Sequence, residues 1–267
     1  FIGLHGKYGE DGIVQSFLEA AKINYVGSGV LACSLALNKA ASKVLFKNFG
    51  IPIPRWLLVS KNAFNLNDVS NEIENKIGFP AIIKPNDQGS TIGLSLCLSK
   101  EELEKAFEIC FKVSNAALIE EYIDGREFNV AILNVQGKIK VFPISEINFV
   151  NFPKDHPRIV SFEAKWEPYS QVYHKTIPIC PAKIELNIKK KIIKDSIEIF
   201  KIFECEDYAR IDLRLDAKNQ HYFIDINPNP NLEEGTGFLR NASKGKMSPS
   251  KVYDAIIKNA LQRYKNK

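Results

Sequence analysis

The alternation of apolar and polar positions divides the chain into short strands and amphipathic helices. "FIGLHG" at the start reads as a buried strand running into a loop. "GIVQSFLEAAKI" follows as a helix with Ile13, Val14, Phe17, Leu18 and Ala21 on one side, and "NYVGSG" as a second strand. The three form a βαβ-like unit with glycine-rich turns. A strand at residue one has no neighbour to pair with, so further residues of the same domain are expected upstream of Phe1. "VLACSLALNKAASKVLFKNFG" reads as one helix capped by Gly50, "WLLVS" as a strand, and "DVSNEIENKIG" as a helix that stops at Gly78.

Further along, "FPAIIKPNDQGSTIGLSLCLS" has two apolar runs around a glycine-containing loop, which predicts a hairpin. "KEELEKAFEICFKV" is an amphipathic helix. "AALIEEYI" and "EFNVAILNVQGKIKVFPISEI" are strands with turns at Asp124-Gly125 and Gln136-Gly137. Residues 148–182 carry Pro153, Pro157, Pro168, Pro178 and Pro181 and read as loop. "KIELNIKKKIIKDSIEIFKIF" is a long helix, "YARIDLRLD" and "QHYFIDINP" form a second hairpin, and "SPSKVYDAIIKNALQRY" closes the chain, with Ser248 as N-cap and Pro249 in the first helical position. No internal repeat is visible. The pattern predicts an α/β front followed by an α+β body with antiparallel hairpins, and a ligand cleft between lobes.

Composition narrows the function classes. The 267 residues are 45% apolar and 25% charged, enough for a large core and more than one lobe. A net charge of +5 suits anionic small ligands, and no arginine-rich run or basic tail points to nucleic acid. The five cysteines (Cys33, Cys97, Cys110, Cys180, Cys205) are scattered and form no CxxC pair, which argues for a reduced, cytoplasmic setting and against zinc. No apolar run reaches the ~18 residues of a membrane helix.

Three stretches carry chemistry. In "AIIKPNDQGSTIGLS", Lys84 ends an apolar strand and precedes a loop with Gly89, Ser90, Thr91 and Gly93. A compact cation followed by glycines and hydroxyls suits phosphate oxygens. It is not a Walker loop, because the lysine comes before the glycines. A plain hairpin loop with a snorkelling lysine is the alternative. In "LIEEYIDGREF", Glu120 and Glu121 end a strand where a carboxylate could accept from an exocyclic amine, and Glu127 could accept from ribose hydroxyls. A solvated edge is the plainer account of these acids.

"ARIDLRLDAKNQHYFIDIN" is the sharpest signal. Asp225 and Asn227 are two residues apart, so their side chains share one face of a strand, and Asp212 can meet them across the ladder. Two carboxylates and an amide oxygen are a hard-oxygen set of the kind Mg²⁺ takes with water and phosphate. Arg210 is two residues from Asp212 and faces the same place, where it can neutralise a transferred phosphoryl group or an oxyanion. The alternative is an internal salt bridge between Arg210 and the aspartates, which leaves Asn227 and the Pro-Asn-Pro loop unexplained.

With these residues in place, the chain resembles the D-alanine–D-alanine ligase family of the ATP-grasp superfamily over essentially its whole length. "HGKYGEDGIVQSFLEAAKINYVGSGVLACSLALNKAASK" follows the family's first motif, and "IIKPNDQGSTIGLS", "EEYIDGREFNVAIL", "FEAKW" and "RIDLRLD…FIDIN" follow in family order. The resemblance implies an ATP-grasp fold with ATP between two lobes. The expected division is 1–27 as a partial N-terminal domain, 28–124 as a central lobe and 125–267 as a C-terminal lobe. It also implies ATP-dependent joining of a carboxylate to an amine through an acyl phosphate.

By the same resemblance Lys39 and Lys84 hold the ATP phosphates. Glu120, with backbone at Glu121 and Ile123, reads adenine, and Glu127 binds ribose. Lys165, in a lid, reaches the terminal phosphate. Asp212, Asp225 and Asn227 carry two Mg²⁺ ions, with Mn²⁺ able to replace them, and Arg210 stabilises the acyl phosphate and the intermediate. Ser90 orients the lid and the acceptor, while His5 and Glu10 line the substrate end. The implied partners are small amino-acid-like molecules, with neither nucleic acid nor membrane, and a homodimer is expected because family members often are dimers.

Four departures from the family pattern stand out. The first half of the N-terminal domain has no counterpart, Trp166 stands where tyrosine is frequent, and Asp225 replaces the usual glutamate. After Asn227 the chain reads Pro228-Asn229-Pro230-Asn231-Leu232-Glu233-Glu234, so Asn231 replaces a glycine whose N–H serves an oxyanion. The two glutamates fall where an incoming carboxylate would sit. That leads to the expectation of an acceptor amine with extra positive charge or without a free carboxylate; the alternative is that both glutamates point to solvent.

Overall fold

The computed structural model describes residues 1–265 apart from His5, Val150, residues 153–157, Phe162, Lys165, Trp166 and Pro168. Two antiparallel sheets organise it. The smaller has the order β1-β4-β2-β3, from β1 (Trp56–Ser60), β2 (Ala81–Pro85), β3 (Ser95–Cys97) and β4 (Ala116–Glu121). The larger runs β10-β9-β5-β7-β8, with β6 paired to β5. Its strands are β5 (Gly125–Val135), β6 (Lys138–Val141), β7 (Ser145–Phe149), β8 (Thr176–Ile179), β9 (Tyr208–Asp216) and β10 (His221–Asn227).

Alternation along the strands decides what each face meets. In the smaller sheet Ala81, Ile83, Ala117 and Ile119 pack on α4 (Leu66–Lys76) and α5 (Leu103–Phe111). Lys84 and Glu120 lie at the alternate positions and therefore point to the opposite face. In the larger sheet Phe128, Val130, Ile132, Ala209, Ile211 and Leu213 share a core with α2 (Val30–Leu37), α3 (Lys39–Asn48) and α7 (Leu186–Ile202). Ala131 and Leu133 face the other way, toward α8 (Gly237–Lys244) and α9 (Pro249–Lys265). Arg210 and Asp212 alternate with the first set, so they belong to the α8/α9 face.

Both predicted hairpins form, β2–β3 and β9–β10. The Gln136-Gly137 turn has positive φ at both residues, the type I′ geometry that matches strand twist. Asp124-Gly125 instead marks the passage from one sheet to the other.

Other expectations change. The front of the chain is not a βαβ unit: α1 (Ile13–Ala20) forms, but the described residues of "FIGLHG" and of "NYVGSG" are not strands. Extended backbone becomes a strand only where another strand pairs with it, and in residues 24–29 side chains take that place: Asp207 Oδ2 accepts from Gly27 N–H and Asn229 Oδ1 from Ser28 N–H. The predicted helix over 30–50 is two helices. Asn38 adopts an extended ψ of 93°, and its side chain accepts from Ala41 N–H at 3.0 Å, capping the second. Within the proline-rich segment α6 (Gln171–Lys175) and β8 form, and helix α8 was not foreseen.

Candidate active site

The β9–β10 hairpin supplies the centre of the site. Asp225 lies opposite Asp212, and Asn227 lies opposite Arg210. This pairing depends on a bulge between Phe223 and Asp225. His221 to Phe223 pair in step with Leu215 to Leu213, so an unbroken ladder would set Ile224 against Asp212. Asp225 would then share the face of Phe223, in the apolar core. One extra residue moves Asp225 and Asn227 to the face of Arg210 and Asp212.

Arg210 grips Asp212 with two parallel bonds, Nε to Oδ1 and Nη2 to Oδ2, each 2.9 Å. The internal salt bridge considered from the sequence is therefore present, and it coexists with the oxygen cluster. Asp212 first, and then its hydrogen bonds, hold the Arg210 guanidinium above its ordinary value against burial. Glu10 and Asp225 act on Arg210 in the same direction. Glu10 is also near Gly89, and its Oε2 accepts from Gly6 N–H at 2.7 Å, so the front of the chain reaches this end of the cleft.

The smaller sheet brings lysines. Lys84 Nζ is 2.6 Å from Glu120 Oε2 and 3.7 Å from Asp225 Oδ2. Lys43 Nζ is 2.6 Å from Glu120 Oε1, and it donates to the carbonyls of Phe223 at 3.1 Å and Ile224 at 2.8 Å. Lys43, Lys84 and Glu120 are all buried. Burial works against the charge on Glu120, but the two ammonium groups outweigh it and hold the carboxyl below its usual range. Burial also pulls Lys84 down, yet Asp225 and Glu120 leave it above the ordinary lysine value. Lys43, with burial dominant, is lowered. Lys43 was missed in the sequence, where a lysine in an amphipathic helix reads as solvated. The available signal was its spacing, four residues after Lys39 on one helix face.

The loop after Lys84 is tied to the start of α3. Lys39 Nζ donates to Gln88 O at 2.9 Å, and Asn86 Oδ1 accepts from Ala40 N–H at 2.8 Å. Ser90 and Thr91 both take left-handed backbone, with φ of 53° and 59°, followed by Gly93 at 72°. Such a conformation is strained for a β-branched residue, and it closes the loop in two turns, with Ile92 N–H donating to Gly89 O and Leu94 N–H to Thr91 O. Ser90 is exposed.

Glu127 pairs with Arg214 at 3.2 Å, and Arg214 is buried over the Tyr122 ring. Glu121 instead faces outward to Arg55, at 2.9 Å, while Ile123 is buried near the passage between the sheets. His5 and Lys165 lie outside the described residues.

The Pro-Asn-Pro loop is anchored rather than open. Asn229 N–H donates to Asn227 Oδ1 at 3.1 Å, and Asn229 Oδ1 accepts from Ser28 N–H at 2.8 Å. Gly27 has φ of 92°, and a Cβ there would lie 2.2 Å from Asn229 Oδ1, so the close approach requires glycine. The Asn231 side chain turns back to accept from Glu233 N–H at 2.8 Å, and Glu233 and Glu234 are exposed. Arg240, on α8, donates to Gly235 O at 3.1 Å and to Ser145 Oγ at 3.3 Å. Burial lowers its guanidinium, and Arg210 nearby adds to that.

Asp212, Asp225 and Asn227 offer only oxygen, which suits Mg²⁺ or Mn²⁺ and not a thiolate metal. Arg210 takes one lone pair on each Asp212 oxygen and leaves another. No group of three His, Cys, Asp or Glu able to hold a metal occurs among the described residues. The set therefore fits an ion that brings its own phosphate and water ligands.

Comparison with known proteins gives the family. The family described as "D-ala D-ala ligase C-terminus" matches residues 45–258. The D-alanine–D-alanine ligase of Carboxydothermus hydrogenoformans is 35% identical over 246 residues, 91% of this chain and 75% of that protein. The Desulforamulus reducens ligase is 32% identical over 266 residues, covering 98% and 81%. Among solved structures, the Bacillus anthracis ligase complexed with ATP superposes with a TM-score of 0.78 at 27% identity, covering 99% of this chain and 78% of that one. The Coxiella burnetii ligase shares the fold with a TM-score of 0.83 at 22% identity, covering 100% and 68%. The chain belongs to the D-alanine–D-alanine ligase family: it is an ATP-grasp enzyme, an ATP-dependent ligase that forms a dipeptide-type amide bond.

Proposed function

We propose that the enzyme joins two D-alanine molecules at the expense of ATP, in the cleft between the two sheets. The observation that carries this reading is the meeting of Lys84 with Asp225, which brings the phosphate-type loop of one sheet to the oxygen cluster of the other. Lys39, Lys84 and the backbone around Ser90 hold the ATP phosphates. Glu120 and the backbone of Glu121 and Ile123 serve the adenine end, and Glu127 the ribose. Asp212, Asp225 and Asn227 hold Mg²⁺, one or two ions, which would neutralise charge on the phosphates.

A carboxylate oxygen of the first amino acid attacks the γ-phosphorus, and ADP leaves. The amine of the second attacks the acyl carbon, loses a proton, and phosphate departs with the C–O bond. Arg210 stays beside both charged species and stabilises them. The family resemblance assigns Lys165 to the transferred phosphoryl group, His5 and Glu10 to the substrate end, and Ser90 to orienting the acceptor.

Arg240 favours an acceptor with its own carboxylate over a cationic amine. Its Nη2 would lie 3.7 Å from a Cβ placed at Gly237, and Arg210 Cδ lies at the same distance from that point. The Arg240 guanidinium at this place repels a second ammonium, while Glu233 and Glu234 are exposed. The substrates are small molecules, and association into a homodimer is part of the same reading.

The test is phosphate release from ATP with Mg²⁺ and D-alanine, with mass spectrometry of the product. D-alanyl-D-alanine should accumulate in step with phosphate. Release only with a cationic amine as acceptor would overturn the assignment.

A further inference from the structure

We infer that Lys43 is a positioning residue for the metal site, because its ammonium holds the β-bulge that turns Asp225 and Asn227 toward Arg210 and Asp212. The inference rests on the reading of Asp225 as a metal ligand given above.

β10 is an edge strand among the described residues: β9 pairs with one side of it, and no described strand pairs with the other. A bulge on such an edge frees backbone groups that must find partners. Phe223 N–H donates to Pro52 O at 2.8 Å. The carbonyls of Phe223 and Ile224, the two residues at the bulge, both accept from Lys43 Nζ. The remaining direction of the ammonium goes to Glu120 Oε1. Two hydrogen bonds to bulge carbonyls and one ion pair thus surround the ammonium of Lys43, which is fully buried.

The geometry gives this contact a consequence beyond packing. The bulge determines which face of the sheet Asp225 occupies, and a slip of one residue would send Asp225 into the apolar core and Ile224 into the site. Lys43 also reaches the carboxylate that Lys84 uses, so one side chain joins α3, the smaller sheet and the bulged edge of the larger. The bonds of Lys43 go to two backbone carbonyls and to Glu120. Lys43 acts through Asp225, Asn227 and Glu120.

The experiment compares ADP binding by calorimetry with Mg²⁺ and with EDTA, together with Mn²⁺ binding followed by electron paramagnetic resonance. The proteins are the full chain, Lys43→Met, Lys43→Arg, Asp225→Asn and the double variant Lys43→Met/Glu120→Gln. Circular dichroism melting checks folding. Lys43→Met should weaken Mn²⁺ binding and the Mg²⁺-dependent gain in ADP affinity by about tenfold or more, the scale of lost outer-shell support. ADP without metal should be affected less. Lys43→Arg, which keeps the donors, should recover much of the loss.

If Lys43→Met does not fold, the double variant, which removes both charges of the pair, should show the same loss of Mn²⁺ binding against wild type; its ADP affinity is not compared, because Glu120 also serves the adenine end. Unchanged metal dependence in folded Lys43→Met or in the double variant, with loss in Asp225→Asn, would overturn the role of Lys43 alone. Equal loss of ADP affinity with and without metal would do the same. Unchanged metal dependence in Asp225→Asn would overturn the metal reading itself.

Discussion

Asp225 stands directly across the ladder from Asp212, although an unbroken hairpin would oppose Asp212 to Ile224. The two carboxylates share a face with Arg210, which already forks onto Asp212. Asp212→Asn keeps the shape and removes the charge. Turnover in Mg²⁺ should fall by about 100-fold or more, beyond the usual cost of losing a supporting partner. The pair is partly exposed, so stability should change by only about 1 kcal/mol. Steady-state kinetics and a urea melt read the two effects, and full activity would remove Asp212 from the metal site.

Glu120 lies between two buried ammonium groups, and Lys84 reaches Asp225 as well. Glu120→Gln leaves both without that charge. Breaking a buried pair on one side typically costs about 3–5 kcal/mol, and urea denaturation should show a loss on this scale. A loss below about 1 kcal/mol would mean that solvent reaches the pair freely.

The same carboxylate sets a pH dependence. Burial pushes Glu120 up, but Lys43 and Lys84 prevail and hold it below its unfolded value, near about 4.3. Between the folded and unfolded values the unfolded chain binds more protons. Stability therefore is fully present above about pH 4.3 and falls as pH drops through the depressed folded value. Urea midpoints from neutral pH downward should fall more steeply for the wild type than for Glu120→Gln. Parallel curves would contradict the ion-pair account.

Glu233 and Glu234 are exposed beyond the Asn231 turn. Replacing both with glutamine should leave stability within about 0.5 kcal/mol and the KM for acceptor D-alanine unchanged. Arg240→Met should raise that acceptor KM more than the KM for ATP. The reverse pattern would restore the glutamates as acceptor-contacting groups.

The sequence made the elements of the site legible because their signals are local. The period-two spacing of Asp225 and Asn227 fixes their shared face, and Arg210 and Asp212 follow the same rule. Parity between the two strands is not local. It depends on whether Ile224 is paired or bulged, and the alternating pattern contains no mark of that choice. Lys43 was hidden for a related reason, since nothing in a helix pattern reveals a buried anion on a distant strand. The strands expected at 1–6 and 24–29 failed because apolar content licenses a strand only where a partner edge exists. Helix α8 was overlooked because "GFLRNASK" carries few apolar positions, although Phe238, Leu239 and Ala242 are all buried.

The central claim is that a carboxylate oxygen of the first amino acid is phosphorylated and leaves with the phosphate. D-alanine labelled with ¹⁸O in its carboxylate, incubated with ATP and Mg²⁺, tests it directly. The released inorganic phosphate should carry one ¹⁸O for each dipeptide formed. Unlabelled phosphate, or release of pyrophosphate in its place, would contradict the account.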